Sequence, residues 1–171
     1  MIQTFEFAIL DLIQNLRCDF LDSFMPFITS FGNRGFIWIV IGIIMCVFKK
    51  SRKAGAAVLL ALLVGYIFGN MVLKNVFARQ RPCWINDGVD MLINMPHDFS
   101  FPSGHTLSSF VAAFTIYFYN KKIGVLTIIF AALIAFSRLY LYVHFPSDVL
   151  GGIAIAFIIA FGMKKFFKLK N

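Results

Sequence analysis

Apolar residues along the chain come in long runs broken by polar clusters: Lys49-Lys50-Ser51-Arg52-Lys53, residues 74–105, Asn120-Lys121-Lys122 and residues 138–148. Five hydrophobic segments result, at residues 29–48, 54–73, 101–120, 123–143 and 147–166. Residues 54–73 hold 20 residues without a charge, the length at which a helix crosses about 30 Å of hydrocarbon. The other four reach that length only by taking in polar residues at one end, which sets those residues at membrane depth. Upstream, Phe5, Ile9, Leu12, Ile13, Leu16, Phe20 and Phe24 recur at helical spacing, while Glu6, Asp11, Arg17, Asp19 and Asp22 interrupt any continuous span. That pattern predicts an amphipathic interfacial helix within residues 1–28, followed by a transmembrane core over residues 29–171. The expected architecture is all-α, a single-domain polytopic membrane helix bundle of five transmembrane helices, or six if residues 5–24 also cross. No cationic stretch precedes the first apolar segment, so a cleaved signal peptide is not expected.

Composition supports the membrane reading. Of 171 residues, 60% are hydrophobic and 14% charged, against about 25% charged in a soluble domain. The chain is too short for a bundle plus a separate soluble domain. Three cysteines, Cys18, Cys46 and Cys83, lack zinc-site spacing and disulfide density. They read as packing residues, with a Cys18–Cys83 pair left open.

The net charge of +8 is mostly a topology signal. Lys49, Lys50, Arg52, Lys53, Lys121, Lys122, Lys164, Lys165, Lys168 and Lys170 fall in alternate loops and the C-terminus, with no acidic residue among them. By the positive-inside rule that face is cytoplasmic. Every acidic residue, with Arg17, Arg34, Lys74, Arg79, Arg81 and Arg138, then falls on or near the outer face. Tight loops between spans offer no groove reader, so nucleic acid is not an expected partner.

Three stretches converge on that outer side: residues 74–82, Phe101-Pro102-Ser103-Gly104-His105, and Ser137-Arg138 with His144-Phe145-Pro146-Ser147-Asp148. Each sits at a helix end. Lys74, Arg81 and Arg138 have few carboxylates near them in sequence, and intramembrane cations call for a named partner. Guanidinium forks suit phosphate oxygens, so a phosphoryl group is the expected ligand. Ser103 is placed to cap a helix, and Gly104 permits close approach of backbone amides to an anion. His144 and Asp148 lie four residues apart around Pro146, which can open a helix. A carboxylate on one imidazole nitrogen leaves the other as a lone pair, so His144 is the expected nucleophile and His105 the general acid. The reverse assignment stays open, although the Asp148 spacing favours this one.

Two histidines and a carboxylate also match a divalent-metal site. A dication among three cations with one compensating carboxylate would be repelled, so neither a metal nor another cofactor is expected. A small lipid transporter or flippase would also carry charges at helix ends, but no internal repeat is present.

Taken together, the three segments resemble the motifs of the type 2 phosphatidic acid phosphatase superfamily, the membrane lipid phosphate phosphatases. The lysine, six residues, Arg-Pro motif is matched by Lys74 through Arg81-Pro82. The Pro-Ser-Gly-His motif is matched by residues 102–105, and the Ser-Arg, five residues, His, three residues, Asp motif by Ser137-Arg138, His144 and Asp148. The matched region runs from residue 74 to 148 and shows no departure. The resemblance implies metal-independent hydrolysis of a lipid phosphate or diphosphate through a phosphohistidine. His144 would be nucleophile, Asp148 its orienter and His105 the acid. Lys74, Arg81, Arg138, Ser103 and the Gly104 amide would hold the phosphate. Small members with an outward site resemble undecaprenyl pyrophosphate phosphatases; phosphatidylglycerophosphate and phosphatidate are the alternative lipids. Arg79 falls outside the motif and is left between a headgroup or second-phosphate contact and snorkelling.

Overall fold

The computed structural model describes residues 2–169, which contain helices and no strand. The predicted N-terminal helix is divided into α1 (Ile2–Gln14) and α2 (Asp19–Phe31). At the break, Arg17 turns to pair with Asp22 (3.2 Å) and donates to the Asp90 carbonyl (2.9 Å). α2 passes through the 3-10 turn Asn33–Gly35 into α3 (Phe36–Val47). α4 (Arg52–Gly65) continues through a π-helical segment, Tyr66–Leu73, into the single turn α5 (Lys74–Phe77). A second single turn, α6 (Pro82–Ile85), precedes a long polar loop. α7 (Gly104–Tyr117), α8 (Lys121–Tyr140) and α9 (Pro146–Phe167) complete the chain.

Four helical stretches among the described residues are long and apolar enough to cross a membrane: Asp19–Val47, Arg52–Ile85, Lys121–Tyr140 and Pro146–Phe167. The first begins ten residues ahead of the expected 29–48 segment, because α2 and α3 run on through their turn. The expected segment 101–120 instead forms α7, whose 14 residues extend about 21 Å at 1.5 Å per residue. Val111, Ala112 and Ala113 of α7 are wholly buried, and α4, α8 and α9 pack around it. A helix enclosed by neighbours has no need to match the hydrocarbon thickness.

The outside of the bundle is apolar: Ile43, Val47, Leu63, Leu126, Leu150 and Ile158 are exposed. In lipid that is the ordinary arrangement, and association between helices must come from close packing and buried hydrogen bonds. Small residues supply the first. A methyl group on Gly55 would lie 2.7 Å from the Gly42 carbonyl, so α3 and α4 meet backbone to backbone. Trp38 supplies the second, its indole donating to Ser109 Oγ at 3.0 Å inside the core.

The polar residues of α1 turn onto the segment after α8. Gln14 donates to the Tyr140 carbonyl (2.9 Å), Asp11 accepts from Tyr142 (2.8 Å) and Glu6 accepts from Ser147 Oγ (2.5 Å). The charges that interrupt a span in the sequence are therefore largely satisfied within the protein. At the opposite end of the bundle the basic segments gather: Tyr119 donates to the Lys50 carbonyl at 3.1 Å, and Leu169 packs on Ala54 and Ala57. All three cysteines are free thiols, Cys18 exposed and Cys83 buried.

Candidate active site

At the end away from the basic loops lies a cavity of about 1050 Å³, lined by Lys74, Arg81, Gly104, His105, Arg138 and His144. Five separate helices and loops thus deliver the expected residues to one space. Ser103 and Asp148 stand behind its wall, both fully buried.

Asp98, read from the sequence only as part of a polar loop, clasps two of the cations. It pairs with Lys74 Nζ through Oδ2 and with Arg81 Nη2 through Oδ1 at 2.8 Å. Burial of the Asp98 carboxyl would raise its pKa, but Lys74 and Arg81 outweigh it and hold the group down at about 2. The Asp98 carboxylate is therefore ionised throughout the physiological range. Arg138 is buried and donates to Thr29 Oγ1 at 2.6 Å, leaving its Nε without a hydrogen-bond partner among the described residues. A buried cationic donor without an acceptor is costly. An anionic oxygen in the cavity is the group that would satisfy it.

His144 is 1% exposed. Its Nδ1 lies 3.6 Å from Asp148 Oδ2, too far for a direct hydrogen bond. Ser100 closes the gap, with Oγ 3.3 Å from His144 Nδ1 and donating to Asp148 Oδ2 at 2.5 Å. Because the serine proton goes to the carboxylate, its oxygen accepts the Nδ1 proton. That assigns the tautomer and leaves Nε2 as the lone pair, 3.1 Å from Arg81 Nη1. The spacing of His144 and Asp148 predicts that they lie close together, but the expected direct contact is replaced by the hydroxyl between them. Ser100 comes from a different loop, and no periodicity or motif in the sequence marks it.

Asp148 also ties the local backbone. Its Oδ2 accepts from the Phe145 amide at 2.8 Å, capping α9 behind Pro146, and its carbonyl accepts from the Ser103 amide at 3.2 Å. Ser103 occupies the N-cap position of α7 as expected, but its side chain makes no cap bond. The hydroxyl instead accepts from Thr106 Oγ1 at 3.0 Å. Gly104 matters for space: a methyl there would sit 2.9 Å from Asn70 Oδ1, a buried atom with no partner among the described residues. Asn70 comes from the π-helical segment. Such insertions shift helix register and recur at functional sites.

His105 lies across the cavity, its Nε2 3.0 Å from Asn33 Oδ1. Gly32 backs the ring so closely that a methyl on it would be 2.7 Å from His105 Cδ2.

Arg79, undecided from the sequence, faces inward. It donates to Asp148 Oδ1 (2.7 Å), Ser147 Oγ (2.6 Å) and Glu6 Oε2 (2.5 Å), and lies 4.2 Å over the Phe145 ring. These contacts place it behind Asp148, neither snorkelling nor lining the cavity.

Burial, reinforced by Arg81, Arg138 and Lys74, holds the His144 imidazole well below the ordinary histidine range. Since the depressed pKa favours the neutral ring, protonation of His144 in the free protein requires a pH below ~6.5. The acid limb of kcat/KM due to His144 is therefore expected below pH ~6.5. A rate profile that turns down at pH 7 on this group, tracked by the imidazole signals in NMR, would contradict the site's electrostatics.

Comparison with known proteins identifies the family. The model of the PAP2 superfamily matches residues 54–171. An undecaprenyl-diphosphatase of Sulfolobus acidocaldarius is 32% identical over 86% of this chain and 71% of its own. The undecaprenyl-diphosphatase BcrC of Bacillus subtilis is 34% identical over 82% of this chain and 72% of its own. A crystal structure of a transmembrane PAP2-type phosphatidylglycerolphosphate phosphatase from Bacillus subtilis superposes with a TM-score of 0.81 at 29% identity, covering 98% of this chain and 86% of that one. With its helices long enough to cross a bilayer and His105 and His144 gathered with Lys74, Arg81 and Arg138 in one cavity, the chain belongs to the PAP2 superfamily and is a multi-pass membrane lipid phosphatase, a hydrolase.

Proposed function

We propose that the protein removes the terminal phosphate of an isoprenoid diphosphate, converting undecaprenyl diphosphate to undecaprenyl phosphate. The observation that supports it best is the His144 Nε2 lone pair facing Arg81, in a cavity shared with Lys74, Arg138 and His105. His144 Nε2 attacks the terminal phosphorus. The bond to the bridging oxygen breaks, and its electron pair leaves on that oxygen, which takes a proton from His105. Lys74, Arg81 and Arg138, with amides at the start of α7 beside Ser103 and Gly104, hold the transferring phosphoryl oxygens. Through Ser100, Asp148 stabilises the charge on the phosphorylated ring. Water, deprotonated by His105, then attacks the phosphorus, the P–N bond breaks, and inorganic phosphate leaves.

The three cations supply the positive charge at the phosphoryl group, so the reaction needs no metal. The basic loops face the cytoplasm by the positive-inside rule, which sets the cavity on the extracytoplasmic side of a bacterial-type plasma membrane. The cavity continues from the cations to Ile39, Leu59, Leu62 and Leu63, a wall suited to a hydrocarbon chain.

Phosphate release in detergent with excess chelator tests this reading, comparing undecaprenyl diphosphate, phosphatidylglycerophosphate and phosphatidate. The expected result is activity insensitive to chelator and fastest on the diphosphate. Abolition by chelator restores the metal model, and a faster glycerophospholipid moves the substrate assignment to that lipid.

A further inference from the structure

The cavity wall runs from His144 and its cations past His105 to the turn Asn33–Gly35, and then to Ile39 of α3 and Leu59 and Leu62 of α4. Arg34, in that turn, lines the cavity and is exposed. Its backbone is left-handed, φ 52°, a conformation uncommon for arginine. Its side chain has no hydrogen bond or ion pair among the described residues. The other cations of the wall are engaged, Lys74 and Arg81 by Asp98 and Arg138 by Thr29. Arg34 thus differs from them in position and in occupancy.

In phosphoryl transfer the attacking and leaving oxygens or nitrogens are roughly in line through phosphorus. With His144 attacking and His105 protonating the departing oxygen, whatever that oxygen carries extends past His105. The neighbour there is the Asn33–Gly35 turn, since Asn33 Oδ1 is 3.0 Å from His105 Nε2. In a lipid monophosphate the departing oxygen carries carbon. In a lipid diphosphate it carries a second phosphoryl group with its own negative charge, and that charge grows as the bond breaks.

We infer that Arg34 binds this second phosphoryl group and sets a preference for isoprenoid diphosphates over monophosphates. The inference rests on the isoprenoid-diphosphate reading of the cavity proposed above. A guanidinium can take two oxygens of the departing phosphate, and its attraction strengthens toward the transition state, where charge accumulates. Beyond it, the apolar wall receives the isoprenoid. The cavity then reads in substrate order: terminal phosphate at the three cations, bridging oxygen at His105, second phosphate at Arg34, hydrocarbon against α3 and α4.

Hydrolysis of farnesyl diphosphate and farnesyl phosphate in detergent micelles provides the test, with wild type, Arg34→Gln, Arg34→Lys and, as blank, His144→Ala. Arg34→Gln is expected to lower kcat/KM for the diphosphate ~10- to 100-fold, the size of one charge-assisted contact. The monophosphate rate should change less than about threefold, and Arg34→Lys should recover part of the loss. Equal losses on both lipids, or none on either, would overturn the assignment. Failure of the wild type on both lipids would instead remove the isoprenoid-diphosphate reading on which it rests. Because Arg34 is an exposed turn residue without partners, the variants should keep the wild-type melting temperature. A large drop would assign Arg34 to the fold and overturn the subsite.

Discussion

His144→Ala is expected to lower phosphate release on the order of 10⁴-fold or more while the protein still inserts and folds. Loss of a covalent nucleophile removes both chemical steps at once, and such losses in other enzymes are of this size. The ring is neutral, donates to Ser100 and accepts from Arg81, both of which retain Asp148 or Asp98 as partners. No charge is therefore stranded by the substitution. Brief reaction of the wild type with phosphate-labelled lipid, quenched at alkaline pH, should leave label on His144 as an acid-labile phosphoramidate. Label on His105 would establish the reverse assignment of the two histidines. A His144→Ala protein retaining a tenth of wild-type activity would sink the covalent mechanism.

Arg79→Ala carries the second large effect, and it acts on folding and turnover together. The guanidinium stands between Glu6 and Asp148, which are 4% and 0% exposed. Removing one partner of a buried ion pair leaves uncompensated charge, at ~3–5 kcal/mol; here two carboxylates are stranded by one substitution. Asp148 would also lose the contact on Oδ1 that opposes Ser100 and the Phe145 amide on Oδ2, so its hold on the His144 tautomer loosens. We expect a fall in melting temperature and a fall of ~10²-fold in kcat with KM little changed, because Arg79 does not line the phosphate cavity. Arg79→Lys should restore little, since one ammonium cannot reach Glu6, Ser147 and Asp148 as a planar fork does. Glu6→Gln keeps Asp148 paired and provides the milder variant should Arg79→Ala fail to fold. It should lower stability more than kcat. Wild-type stability and kcat in Arg79→Ala would show that the network does not hold Asp148 in place.

Much of the candidate site is legible in the sequence. The sequence predicts Lys74, Arg81, Gly104, His105, Arg138 and His144 in one place, and all line one cavity. They could be found because each closes or opens a hydrophobic segment, and a cation or imidazole at membrane depth is expensive enough to demand a reason. What escaped was the supporting layer. Ser100, Asp98, Asn33 and Asn70 lie in polar stretches or inside an apolar helix, where nothing about residue type or spacing separates a working side chain from a solvated one. Arg79 was visible as an anomaly, but its partner Glu6 is 73 residues away in sequence, and no local pattern links them.

The sequence by itself determined the solvent and the chemistry. Hydrophobic runs of spanning length cannot be reconciled with water, and the residue types at their ends are suited to phosphoryl transfer. Segregation of basic loops to one end likewise follows from which loops alternate. Tertiary structure decided everything that depends on long-range approach: that α1 and α2 are separate, that the charges of α1 turn inward onto residues 140–147, and that a serine stands between His144 and Asp148. The physical reason is that periodicity records which face of a helix is apolar, whereas a hydrogen bond between Glu6 and Ser147 depends on how distant backbones meet.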